Sequence, residues 1–232
     1  MLHSLMLTVL MGASQVGAPQ AGAPGAPPAG ATIVYHFDRP GLPMPSYTFM
    51  VHEDGSGTFH AKIEPVHAQG AAAAPPSAMT ETTVPIILTA ATTAKLFQEV
   101  RGTDHFRNRC ESKAKNVADT GSKTIDYDGP DGHASCTYNY TENKALQSIT
   151  DTFSAITETL EFGRRMEYDH RYDRLGLDAE MTALVAAVKD KSVLEVQTIA
   201  PTLQSIMNDG AVIERVRVAA GKLLQMAATS GR

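Results

Sequence analysis

Residues 46–63 read Ser46-Tyr47-Thr48-Phe49-Met50-Val51-His52-Glu53-Asp54-Gly55-Ser56-Gly57-Thr58-Phe59-His60-Ala61-Lys62-Ile63, and no other stretch constrains the architecture as strongly. Tyr47, Phe49 and Val51 alternate with Thr48, Met50 and His52, a period of two that sends one set of side chains to each face of a strand. The chain then passes through Asp54-Gly55 and a second glycine, Gly57, residues that accept positive φ in a hairpin turn. Beyond it Phe59, Ala61 and Ile63 alternate with Thr58, His60 and Lys62. Folded back as a hairpin, the two apolar sets share one face, which fixes the register. His52 and His60 then belong to the polar side and are expected to be cross-strand neighbours.

Outward from this hairpin, Ile33 to Phe37 reads as a strand, rich in β-branched and aromatic residues. Thr83 to Leu88 reads as another. Pro85 cannot donate to a ladder, so this is an edge strand or begins at a bulge. The intervening 65–79, with Ala71 to Ala74 followed by Pro75-Pro76, reads as an exposed loop. A helix from about Thr92 to Arg101 presents Leu96, Phe97 and Val100 and stops at Gly102. Lys123 to Tyr127, the turn Asp128-Gly129-Pro130-Asp131-Gly132 and His133 to Tyr140 form a second hairpin.

After Tyr140 the period changes. Leu146, Ile149, Phe153, Ile156 and Leu160 are spaced by three and four residues, one buried stripe of a helix over 143–166. No aromatic residue follows Tyr172. Asp178 is placed to N-cap a helix carrying Met181, Leu184, Val185 and Val188. Ser192-Val193-Leu194-Glu195 fits a capping box. The helix it starts carries Val196, Ile199, Leu203 and Ile206, with Pro201 kinking or restarting it. A last helix carries Val212, Val216, Ala220 and Leu223. The expected fold is therefore α+β, with antiparallel β-hairpins and a helix packed against a C-terminal helical bundle. The chain divides into a signal peptide (1–18), a Gly/Ala/Pro-rich linker (19–31), a β-rich domain (32–141), a connecting amphipathic helix (142–175) and a helical segment (176–232).

Two resemblances follow from these residues. Ile199-Ala200-Pro201-Thr202-Leu203, then Asp209-Gly210, then Val216-Arg217-Val218-Ala219-Ala220 resembles a HEAT-type helical repeat, covering about one and a half units. HEAT arrays bind other proteins, but a solenoid needs three or more stacked units, so the resemblance implies a packing module. The hairpin, helix, hairpin plan of the aromatic part is similar to that of uncharacterised secreted bacterial domains, and it carries over no catalytic residue.

Export is read from residues 5–13, Leu5-Met6-Leu7-Thr8-Val9-Leu10-Met11-Gly12-Ala13, a short apolar stretch followed by small residues. Cleavage falls after Ser14 or after Ala18. Residues 17–31 contain nothing that fills a core and read as a disordered tether. In an oxidising compartment, the cysteines Cys110 and Cys136, which lack metal-ligand spacing, are expected to pair as a disulfide.

The 232-residue chain carries a formal charge of −5, which argues against a broad nucleic-acid-binding surface. No apolar run approaches the ~20 residues of a spanning helix, so no integral membrane segment is expected. There is no nucleophile elbow, P-loop, His-Glu-x-x-His or Cys-x-x-Cys. Ser112-Lys113-Ala114-Lys115 has the Ser-x-x-Lys spacing without its companion motifs. Asp126, Asp128 and Asp131 lack the closing glutamate of a calcium loop and read as turn formers. His52 and His60 lack a third zinc ligand, with His36, Glu53 and Glu64 as the candidates. Asn139-Tyr140-Thr141 is a glycosylation sequon. The segment Arg164 to Arg174 holds four arginines and three acids, either a solvated helix end or a phosphate or carboxylate site.

The resulting expectation is an exported, non-catalytic protein with a binding or envelope-structural role, a protein as its possible partner and no cofactor. The alternative is an extracytoplasmic hydrolase or metal-dependent enzyme, with a site assembled from scattered His and Asp. A cleft lined by several of His36, His52, His60, His105, His133 and His170 with acids would mark the enzyme. Dispersed histidines with an exposed groove would mark the binding protein.

Overall fold

Alternating side chains need a partner layer on one side only, and the fold supplies one. The computed structural model describes residues 30–63, 79–104, 106 and 110–230. The signal-peptide assignment, most of the linker, His105 and nearly all of the expected loop 65–79 lie outside these residues. Six strands, β1 (Thr32–Asp38), β2 (Ser46–His52), β3 (Ser56–Ile63), β4 (Thr80–Ile87), β5 (Ser122–Gly129) and β6 (Gly132–Tyr138), form one antiparallel sheet in the order β4-β3-β2-β1-β5-β6. Helix α1 (Ala90–Gly102) connects β4 to β5, and α2 (Lys144–Tyr172) follows β6. The bundle is completed by α3 (Gly176–Lys189), a 3-10 turn (Val196–Ile199), α4 (Ala200–Asn208) and α5 (Glu214–Ser230). The protein is thus α+β, with a helical C-terminal part.

The first hairpin pairs Phe49 with Phe59 and Tyr47 with Ala61. Its turn is held by Asp54 Oδ1, which accepts from Ser56 N–H at 2.8 Å. Gly55 sits at φ +84°, and a Cβ there would lie 2.8 Å from the Leu88 carbonyl oxygen, so the turn requires glycine twice over. Ile33, Tyr35, Phe49, Val51 and Ile125 are fully buried on one sheet face. Tyr35 and Phe49 meet Phe153 of α2 at ring-centroid distances of 4.6 and 4.9 Å. Leu96, Phe97 and Val100 of α1 complete this core.

Helix α2 serves two cores. Leu146, Ile149, Phe153 and Ile156 bury against the sheet, and Phe162 and Met166 bury against α3, α4 and α5. Leu160 packs against both. The helix runs six residues past the expected end at 166, because Met166 is fully buried and holds the next turn down.

Three local expectations are corrected. Asp178 is not an N-cap, since α3 begins two residues earlier; its carboxylate takes Arg215 Nε at 2.7 Å and ties α3 to α5. Ala31, assigned to the linker, is fully buried, and its N–H donates to Glu53 Oε2 at 3.2 Å. Ser192 to Glu195 is not a capping box. Glu195 takes a left-handed conformation (φ 58°, ψ 44°) and is 8% exposed. Its carboxylate crosses to the start of α1, accepting from Thr89 N–H at 2.6 Å, Thr89 Oγ1 at 2.8 Å, Thr92 Oγ1 and Gln197 Nε2. Pro201 lies in the first turn of α4, where a missing N–H costs nothing, so it restarts the helix after the 3-10 turn.

Candidate functional site

The sheet's buried face is not covered all the way to its β4 edge. There Met44, Phe59, Ile63, Val84 and Leu160 line a cavity of about 270 Å³, with α4 as its far wall. Gly163 makes this wall possible, because a Cβ on it would lie 2.4 Å from Ile199 Cγ2. Glu167, Pro201 and Thr202 belong also to a second cavity of about 500 Å³, walled by His170, Arg171, Arg174, Ser205 and Asp209. The two meet at these shared residues as one groove, apolar at the sheet end and charged at the bundle end.

Helix α2 projects its basic C-terminal turns into the charged end, where the negative helix pole favours them. His170 Nε2 lies 2.9 Å from Asp209 Oδ2, and Arg174 reaches the same oxygen at 3.5 Å. Asp209 Oδ1 accepts from Ala211 N–H at 2.8 Å. That backbone bond first, and His170 second, hold the Asp209 carboxyl below its ordinary range. Burial pushes the neighbouring Asp169 carboxyl the other way, helped by the charges of Glu180 and Asp173. Each arginine of the 164–174 segment has an acid: Arg164 forks onto Glu161 (2.9 and 2.7 Å), Arg165 meets Glu180 (3.1 Å), Arg171 meets Glu167 (3.2 Å) and Arg174 meets Asp209. A lining of paired charges suits a ligand with charges of both signs and an apolar anchor better than a bare phosphate or carboxylate.

The remaining sequence candidates lie elsewhere. His52 and His60 share the open sheet face but are not neighbours. Val51 pairs with Gly57, which sets His60 against Thr48 and leaves His52 opposite Thr32 of β1. His36 Nδ1 and Thr48 Oγ1 share a hydrogen bond of 2.8 Å, His60 pairs with Thr83 at 3.0 Å, His52 with Thr32 at 3.0 Å and His133 with Asp128 at 2.6 Å. Asp131 is taken by Arg101 (3.0 Å) and the Tyr127 hydroxyl, and Arg101 also holds Glu53 at 2.7 Å. Among the described residues no three His, Cys, Asp or Glu side chains converge as a metal site.

Cys110 and Cys136 lie at disulfide distance, with sulfurs 2.03 Å and Cα atoms 5.9 Å apart. The link ties the polar segment after α1 to β6. Lys123, buried, reinforces it by donating to Thr120 O, Gly121 O and Asn139 O at 3.1, 2.9 and 2.8 Å. Burial pulls the Lys123 ammonium below its ordinary pKa. Ser112 lies in this loop, where its hydroxyl accepts from Ala114 N–H rather than facing Lys115 at a helix start. The sequon's Asn139 donates Nδ2 to Ala118 O and accepts from Thr120 N–H at Oδ1, and Thr141 is buried. No protein-family model and no curated protein matches the chain.

Sequence reasoning singled out the 164–174 charges but not Ser205, Asp209 or the apolar end. In the sequence Asp209-Gly210 enters only as part of the HEAT-like pattern. Its contact with His170, 39 positions away, had no local signal.

Proposed function

We propose that the chain is an exported, non-catalytic binding protein that takes a peptide segment of a protein partner in the groove between its sheet and its helices. The groove itself carries this reading: an apolar end sized for one or two side chains continues into a charged end of both signs. Export is supported by the apolar stretch at residues 5–13 and by the cysteine pair at bonding distance. Among the described residues no helix is long and apolar enough to cross a membrane. A hydrolase is the second reading, favoured by Ser205, His170 and Asp209 lining one cavity.

Selection of displayed random peptides on the full chain, in parallel with a Thr202→Tyr variant that fills the junction of the groove, separates the two. The binding reading expects enriched peptides with an apolar residue flanked by charges, bound about tenfold more weakly by the variant. Equal enrichment on both proteins overturns it. Cleavage of those peptides or of a chromogenic ester, abolished in His170→Ala, establishes the hydrolase instead.

A further inference from the structure

The apolar end of the groove lies under the outer edge of β4, and the backbone of that edge has a definite direction. In an antiparallel ladder the N–H and C=O of one residue point the same way, and successive residues alternate. Leu88 N–H donates to Gly55 O at 2.9 Å, on the β3 side. Ile87 O faces the other way and accepts from Gln197 Nε2 at 3.2 Å. The β3–β4 register is unbroken from Ile87 to Thr80. Alternation then turns Ile86, Val84 and Thr82 towards β3, and Pro85, Thr83 and Glu81 outward. Pro85 thus lacks its N–H on the side where no strand of the sheet lies, the place a proline takes in an edge strand. Among the described residues nothing bonds to the outward N–H and C=O of Thr83 and Glu81 or to Pro85 O.

The same edge borders the cavity. Thr82 and Val84, whose backbones bond inward, line it together with Phe59 and Ile63. An extended segment laid against this edge meets both features at once. Its residues across from Thr83 and Glu81 exchange N–H···O=C bonds with them and send their side chains to the open sheet face. Its residues across from Val84 and Thr82 send theirs into the groove. A helix cannot use such an edge, because its own backbone groups are already bonded within it. The usable length is bounded at one end, where Pro85 can only accept and Gln197 already holds Ile87 O. From Glu81 to Pro85 it spans ~17 Å at ~3.4 Å per residue. We propose that the groove takes its peptide as an added strand, antiparallel to β4, with apolar side chains at alternate positions entering the cavity. The proposal rests on the groove reading above and adds the peptide backbone as a second determinant of binding.

Calorimetric titration of the full chain with a peptide selected on it, and with copies N-methylated at one residue at a time, tests this. Methylation removes one N–H and keeps the side chain. The expected profile has a period of two: about tenfold weaker binding where the methyl falls opposite Thr83 or Glu81, and little change at the residues between them. Thr83→Pro removes the outward N–H and leaves the β3 ladder intact, as Pro85 does. It is expected to keep the wild-type far-UV spectrum and to bind the parent peptide about tenfold more weakly. An aperiodic profile, or wild-type affinity in Thr83→Pro, overturns strand addition; the groove reading still stands if Thr202→Tyr weakens binding. A selection that yields no peptide overturns both. Sedimentation of the free chain at twice its single-chain mass, abolished by Thr83→Pro, makes a second copy the occupant of the edge and also overturns the proposal.

Discussion

Replacing Glu195 by alanine should uncouple the helical part from the sheet. The carboxylate is almost fully buried and accepts from Thr89 N–H, Thr89 Oγ1, Thr92 Oγ1 and Gln197 Nε2. Hydrogen bonds to a charged group contribute ~1.5–3 kcal/mol each, but they are not additive, and removing one side of a buried charged network costs about 3–5 kcal/mol in all. A non-glycine in the left-handed region carries ~1–2 kcal/mol of strain. Alanine keeps that strain, whereas glycine relieves it. Glu195→Ala is therefore expected to lose about 3–5 kcal/mol and Glu195→Gly about 1 kcal/mol less. With Tyr168 and Tyr172 of the bundle end of α2 replaced by leucine in a common background, the remaining tyrosines all lie between residues 35 and 140. Tyrosine emission then follows the sheet, and ellipticity at 222 nm follows the helices. In urea the two curves should coincide for wild type and separate for Glu195→Ala, with the helical signal lost first. A loss under about 1 kcal/mol with coincident curves would refute the role given to this carboxylate.

Three further outcomes are expected. Replacing Cys110 and Cys136 together by serine opens a link spanning 26 positions and should cost ~3.5 kcal/mol, with faster amide exchange confined to 111–122. Gly163→Ala gains ~1 kcal/mol of helix propensity but forces Ile199 aside, and overpacking at ~1–3 kcal/mol should leave the variant less stable in urea. The depressed Asp209 carboxyl binds fewer protons folded than unfolded near its ordinary value of ~3.9. Its contribution is complete above that value and lost as pH falls through the lower folded value. Melting temperature should thus fall less steeply with acid in Asp209→Asn.

What was legible in the sequence was local. Period-two alternation placed Phe49 and Phe59 on the same face, and three-four spacing placed Phe153 in a buried helical stripe. Pro85 marked an edge strand, and β4 is one. The misreadings came from distance along the chain. One hairpin's alternation assigns a face but not the exact pairing, and the short turn moved His52 four residues, about 13 Å, beyond the partner of His60. Ser192 to Glu195 has the letters of a capping box, yet the donors awaiting Glu195 are at Thr89 and Thr92, more than 100 positions away. The groove was invisible for the same reason, since its walls come from β3, β4, α2 and α4 and only packing brings them together.

Amide hydrogen exchange with a selected peptide bound tests the binding reading at its centre. Protection is expected in Thr82 to Val84, Glu161 to His170 and Thr198 to Asp209, and it should vanish in Thr202→Tyr. Protection elsewhere with these three segments unchanged would contradict the groove as the binding site.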